Sequence, residues 1–205
     1  ALRLGFSFGL TSTHKGEMAM AFDERIALRS FQEISKLLSS TMELPEMLNY
    51  LWSEIGRVMG LKGGTIRVVS RKNNTLEWRA AVGVSQKYIN KGPVDMDKSV
   101  AEAMTGTPVR VLDAGNDPRM QYPQQAKEEG IASMLTIPMK ARGGKVIGVM
   151  RLVTRECREF TMDEVDFACA LGELGALAIT NARMFEELTK ELRYFKGMVD
   201  VAKFW

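Results

Sequence analysis

Ile131-Ala132-Ser133-Met134-Leu135-Thr136-Ile137-Pro138-Met139 and Lys145-Val146-Ile147-Gly148-Val149-Met150-Arg151-Leu152-Val153, joined across Gly143-Gly144, decide the architecture. Both runs are apolar, of strand length and separated by a turn signal, so they predict an antiparallel pair. Phe160-Thr161-Met162-Asp163-Glu164 then places acids at a helix start, where the positive end of the helix dipole favours them. From Phe167, steps of four and three reach Leu171, Leu174, Ala178, Asn181, Phe185, Leu188, Leu192, Phe195, Val199 and Ala202, with Asn181 alone polar. This heptad spacing predicts one continuous helix whose second part is a dimeric coiled-coil stalk. At 1.5 Å per residue such a helix spans roughly 50 Å. A compact sheet rigidly joined to a rod is the layout of a sensor.

Upstream, residues 23–40 predict a helix with Ala27, Phe31, Ile34, Leu38 and Thr41 on one face, and Pro45 opens a second helix to residue 59. Residues 65–70 and 76–82 predict a hairpin about Asn73-Asn74. Residues 83–130 are irregular, with short helices near 86–90, 99–105 and 121–129 and a strand at 109–112. Pro93, Gly106, Pro108, Gly115, Pro118 and Pro123 punctuate that stretch, as a capping lid built of turns requires. Residues 1–20 mix Gly, Ser and Thr with a short alternation at Leu2, Leu4, Phe6 and Phe8, which fits a loose arm, a tag remnant or an edge strand. The expected division is an arm over 1–20, a sensor domain over 21–185 and a coiled-coil extension over 186–205.

Composition narrows the function. The 205 residues are 45% hydrophobic and 26% charged, which suits one domain plus an extension. Net charge is +3 with the basic residues interspersed among acidic ones, so no nucleic-acid partner is implied. No run approaches the roughly 20 apolar residues of a membrane span, and no apolar block opens the chain. Cytoplasmic residence without membrane insertion is the expectation. Two cysteines, Cys157 and Cys169, give neither a disulfide framework nor metal-ligand spacing. His14, the sole histidine, removes most histidine-based catalysis and metal binding. With no glycine-rich phosphate loop and no serine nucleophile motif, neither an enzyme nor a cofactor is expected. The acidic stretch Asp113-Ala114-Gly115-Asn116-Asp117-Pro118-Arg119 lacks the later glutamate of a calcium loop and predicts a turn.

Three arginines stand in the middle of three predicted strands: Arg67, Arg79 and Arg151. Strand alternation puts Ile66 with Val68, Trp78 with Ala80 and Val82, and Gly148 with Met150 and Leu152 on the helix side. The arginines then share the opposite face, under the lid, where guanidinium forks suit a carboxylate or phosphate. The expectation is a small anionic ligand held by some of them, with Trp78, Tyr122, Met120 and Met134 as apolar walls. The alternative is that the arginines bond lid carbonyls, or lid acids such as Asp113 and Asp117.

Over about residues 25–190 the chain resembles the GAF domains, small-molecule-binding modules of signalling proteins. The resemblance rests on residues 133–138, residues 146–152, Phe160-Thr161 with Glu164, and Ala178-Ile179-x-Asn181-Ala182. It implies an α+β, PAS-related fold: an antiparallel sheet of about six strands, helices on one face, a ligand-enclosing lid on the other and a long C-terminal helix. It also implies a structural role for the Asp117-Pro118-Arg119 turn beside the pocket. Thr154-Arg155 replaces the Asn-Lys pair of cyclic-nucleotide-binding members, and neither cysteine lies in the lid, where the bilin-binding and sulfoxide-reducing members need one. The implied partner is a second copy, through Phe31, Ile34, Leu38, Leu171, Leu174, Ala178, Asn181, Phe185, Leu188, Leu192 and Phe195, coupled to an output domain. Competing expectations are a ligand-free dimerisation platform, or a thiol redox sensor at Cys157 between Arg155 and Arg158.

Overall fold

The computed structural model describes residues 22–37, 43–70, 75–96 and 100–202, with side chains as far as Tyr194. Strands β1 (Gly63–Val69), β2 (Leu76–Val82), β3 (Val109–Val111), β4 (Met134–Lys140) and β5 (Val146–Val153) form one sheet in the order β2-β1-β5-β4-β3, every pair antiparallel. The two apolar runs pair as expected, Met134 with Val153 and Ile137 with Met150. They read as continuous apolar runs because both of their faces are covered. Between them Gly143 and Gly144 adopt φ 81° and 80°, which only glycine reaches without strain.

Among the described residues the helices are α1 (Glu24–Leu37), α2 (Leu44–Met59), α3 (Gln86–Ile89), α4 (Ala101–Met104), α5 (Pro123–Glu128) and α6 (Met162–Ala202). Helices α1, α2 and α6 bury one sheet face. Leu48, Leu51, Trp52 and Ile55 of α2 and Leu171 and Ile179 of α6 close on Ile66, Val68, Leu135, Ile137, Met150 and Leu152 of the sheet. Each such side chain contributes about 1.5–3 kcal/mol by leaving water. The approach is close: a Cβ at Gly64 would overlap the Trp52 ring and the Arg151 carbonyl. On the other face Leu76, Tyr88, Val94, Val100, Val109, Val111, Met134, Val149 and Val153 form a second apolar cluster beneath the short helices. The sheet is therefore sandwiched between a helical layer and a lid.

The start of α6 is fixed by reciprocal bonds. Thr161 Oγ1 accepts from Glu164 N at 3.2 Å and Glu164 Oε2 accepts from Thr161 N at 2.9 Å, a capping box. Arg158 adds a two-pronged ion pair to Glu164, Nη1 at 2.9 Å and Nη2 at 2.8 Å, while Nη2 also donates to Met59 O of α2 at 3.0 Å. Arg183 Nη2 donates to Val69 O at 3.3 Å. Beyond it Met184, Phe185, Leu188, Leu192 and Tyr194 are exposed, Phe185 at 72%. The stretch Met162–Tyr194 is long and apolar enough, by length and composition alone, to cross a membrane, yet 44% of its most apolar window is buried inside the fold.

Several expectations are corrected. The sheet has five strands rather than about six among the described residues: Val94 makes a single bridge to Leu76, and Pro93 beside it has no N–H with which to extend the ladder. The alternation through β2 breaks at a bulge, where Ile66 pairs with Ala80 but Arg67 pairs with Trp78, leaving Arg79 as the extra residue. Trp78 thus moves to the Arg67 side, at the sheet edge and 52% exposed, and Val82 is exposed as well. Of the positions expected between protomers, Ile34 and Leu171 are fully buried in their own chain. Phe31 and Leu174 are half-buried against the same core, Ala178 is half-buried, and Asn181 is exposed. The heptad seam faces the sheet first and solvent later: Arg183 still reaches the sheet, while Phe185, Leu188 and Leu192 are exposed as the helix continues. Leu38, Thr41, Asn73, Asn74, the Phe195 side chain and residues 1–20 lie outside the described residues.

Candidate functional site

Beneath the lid, β1 and β5 present Arg67 and Arg151 on one face, two residues apart in register because Thr65 pairs with Arg151. Both are 6% exposed, and burial pulls each guanidinium below its ordinary range, with Tyr88 and, for Arg67, Tyr122 working the other way. Both remain charged, since guanidinium is not deprotonated in proteins. Arg67 donates to Leu76 O at 3.4 Å and to Ile89 O at 3.5 Å.

The lid contributes Tyr88, Lys91 and Tyr122. Ser85 Oγ caps α3 by accepting from Tyr88 N at 3.1 Å, and the short helix aims the Tyr88 ring inward. Its hydroxyl is buried with no hydrogen-bond partner among the described residues. Burial raises the Tyr88 phenol above its usual range, with Arg151 and then Arg67 opposing. Lys91 Nζ sits 3.5 Å above the Tyr88 ring and 5.8 Å from the Tyr122 ring, and donates to Tyr88 O at 3.0 Å. Burial first, then Arg67 and Arg151, bring the Lys91 ammonium down to about 7, against a weaker pull from Glu129. Tyr122 Oη donates to Pro93 O at 2.8 Å, which holds the strap over residues 92–95.

One carboxylate fastens this lid to the sheet. Glu129, just after α5, accepts from Ser85 N at 2.9 Å, from Ser85 Oγ, and from Lys62 Nζ at 3.1 Å; Lys62 also donates to Gly83 O at 2.9 Å. Both side chains are only 10% exposed. Burial pushes Glu129 up, but Ser85 and Lys62 outweigh it and hold the carboxyl below its usual range.

The structure thus brings together Arg67, Arg151 and Tyr122, with Met134 in the adjoining apolar cluster and Met120 packed against it. It does not bring in three others. Arg79 is turned out by the bulge and pairs with Glu77 at 3.1 Å; Trp78 is at the exposed edge. Arg119 is held by Asp117 at 2.6 Å and donates to Arg110 O at 2.9 Å, in an outer groove of about 500 Å³ that Arg110, Asp113, Asp117 and Arg158 also line. Asp113 accepts from Gly115 N at 3.0 Å and from Asn116 Nδ2 at 2.8 Å, the expected turn. No cluster able to hold a metal ion occurs among the described residues. Sequence reasoning missed Tyr88, Lys91 and Glu129. The available signal was Tyr88-x-x-Lys91 on a helical spacing just before Pro93.

Cys157 is exposed in the turn after β5, and Cys169 is half-buried on α6, on the helix side of the sheet. Burial raises the Cys169 thiol. Neither thiol is in the lid.

Comparison with known proteins agrees with this architecture. The GAF domain family model matches residues 41–180. No curated protein matches the chain. Among solved structures, the GAF domain of a phosphoenolpyruvate-protein phosphotransferase from Coxiella burnetii is 17% identical with a TM-score of 0.70, over 80% of this chain and 98% of that one. A domain of a two-component sensor histidine kinase protein from Sinorhizobium meliloti 1021 is 17% identical with a TM-score of 0.59, over 74% and 99%. Free methionine-R-sulfoxide reductase from Neisseria meningitidis, solved with its substrate, is 14% identical with a TM-score of 0.65, over 80% and 95%. At these identities the solved structures speak to fold and not to chemistry. The family match over most of the chain, on a five-stranded sheet enclosed by a lid and a long terminal helix, makes the chain a member of the GAF-domain family.

Proposed function

We propose that this domain is a cytoplasmic signalling sensor that takes a small anion between lid and sheet, on Arg67 and Arg151, and transmits the bound state through α6 to an output domain. The observation that carries the reading is the Tyr88 hydroxyl, buried beside the two guanidiniums and unbonded among the described residues. Leaving such a group unsatisfied costs about 1–3 kcal/mol; an anion on the arginines would accept from it. The Arg67 bonds to lid carbonyls, at 3.4 and 3.5 Å, are longer than the optimum of about 2.9 Å, so a ligand oxygen would displace them at little cost.

Transmission is supported by continuity. Arg151 lies on β5, the strand that leads through the Arg158–Glu164 pair into α6. Exposed Phe185, Leu188 and Leu192 keep the heptad spacing, and burying them against a second copy would make residues 186–205 a homodimeric stalk. A ligand that prefers one lid position would then bias the pair of helices. Binding rather than catalysis is supported by the thiols, one outside the lid in a turn and one on the far side of the sheet. Residues 21–185 would be the sensor and 1–20 an arm.

The test is a thermal-shift series with organic acids, nucleotides and phosphates on the native chain and on Arg67→Met/Arg151→Met. The reading expects an anion that raises the midpoint of the native chain alone, together with a change in spin-label distances across the stalk. Unchanged profiles in both proteins refute it. The Arg67 bonds to Leu76 O and Ile89 O also favour a second reading, a ligand-free dimerisation platform whose arginines serve the lid. In that case Leu188→Asp yields monomers while no anion shifts the midpoint.

A further inference from the structure

Lys91 is the lid residue whose position the anion-sensor reading leaves unused. Among the described residues its Nζ, held between the Tyr88 ring at 3.5 Å and the Tyr122 ring at 5.8 Å, forms no ion pair, and neither does Arg67, whose bonds go to carbonyls. The groups that act on it are Arg67 from β1, Arg151 from β5, Tyr88 from α3, Tyr122 ahead of α5 and Glu129 behind it. Of these only Glu129 is an anion, and Ser85 and Lys62 already occupy its oxygens. Lys91 thus meets two guanidiniums under one lid, and among the described residues the one anion acting on it is already committed elsewhere.

Resting on the anion-sensor reading, we infer that Lys91 is the third cation of the ligand site, so that the site takes a small anion carrying two negative charges and takes up a proton as it binds. With the site empty, burial and the two guanidiniums disfavour the ammonium and hold it near neutrality at about 7. A bound dianion offsets the guanidinium charges and sets negative oxygens beside the amine, which restores the ammonium, since an opposite charge within reach favours the ionised form. The Tyr88 ring face keeps the ammonium over the ligand by cation–π attraction, and the Tyr88 hydroxyl donates to the anion. A singly charged anion leaves part of the guanidinium charge uncompensated, so the repulsion on Lys91 persists and the amine stays neutral. The affinity of this site for a dianion is thereby tied to pH around neutrality.

The experiment uses the intact 205-residue chain. Sulfate and succinate serve as fixed dianions and acetate as the singly charged control, each titrated calorimetrically from about pH 6 to about pH 9. Native protein is compared with Lys91→Met, which keeps the apolar stem, and with Arg67→Met. Lysine ammonium NMR on the ligand-free chain reads the Lys91 midpoint directly. The expected result is dianion affinity that falls by up to about tenfold per pH unit above neutrality, a fall that Lys91→Met abolishes, with weaker and pH-flat acetate binding. Dianion binding that is pH-flat in the native chain, acetate equal to sulfate, or a Lys91 midpoint at the ordinary lysine value overturns the Lys91 inference. If that same binding is lost in Arg67→Met, the anion-sensor reading survives. No response to either dianion overturns both.

Discussion

Glu129→Gln tests how the lid is held. The substitution keeps shape and the acceptor for Ser85 N but removes the charge that Lys62 Nζ meets at 3.1 Å, with both side chains 10% exposed. Hydrogen bonds to charged groups contribute about 1.5–3 kcal/mol, and breaking a fully buried pair costs about 3–5 kcal/mol. Slight exposure and the remaining Lys62 bond to Gly83 O, at 2.9 Å, bring the expected loss to about 2–3 kcal/mol. If the lid opens as its own unit, amide exchange in residues 84–96 and 121–130 accelerates by about 30- to 150-fold. If it unfolds with the domain, Tm falls by about 4–12 °C. The loss is pH-dependent. Glu129 is held below its usual range, so its contribution is present above the ordinary carboxylate pKa and disappears as pH falls through the depressed folded value. The variant should therefore converge on the native protein in acid. Hydrogen exchange by mass spectrometry and thermal denaturation read the two cases; unchanged Tm together with lid exchange within about threefold of native would refute the fastening role.

Gly64→Ala should destabilise by about 1–3 kcal/mol in urea denaturation, because the new methyl overlaps the Trp52 ring and the Arg151 carbonyl; an unchanged urea midpoint would count against that packing. Glu164→Ala removes the capping box and strands Arg158, for an expected loss of about 2–4 kcal/mol by the same measurement. Lys91 has a folded value of about 7 against an ordinary 10.5, so the unfolded chain binds the extra proton between them and stability rises with pH across that window. Lys91→Met should flatten this part of the Tm-against-pH profile of the ligand-free protein.

The amino-acid order alone determined the layers. Apolar runs at 134–139 and 146–153, an acidic helix start at 163–164 and a lid punctuated by prolines are local patterns, and local patterns fix elements. The parity that put Arg67 and Arg151 under the lid survived because β1 and β5 pair without a break from Gly63 to Val68. Arg79 was placed wrongly by the same rule, because a single extra residue in β2 reverses every side chain beyond it, and a bulge is a property of the pair of strands. Lys91 and Glu129 stand 38 residues apart, and no spacing links them. Only folding sets Lys62, Ser85 and Glu129 in contact, brings two guanidiniums up to Lys91, and carries α6 past the sheet so that a heptad buried at Leu171 becomes exposed at Phe185. Charge coupling and burial depend on distance through space, which the chain acquires only when its tertiary structure is complete.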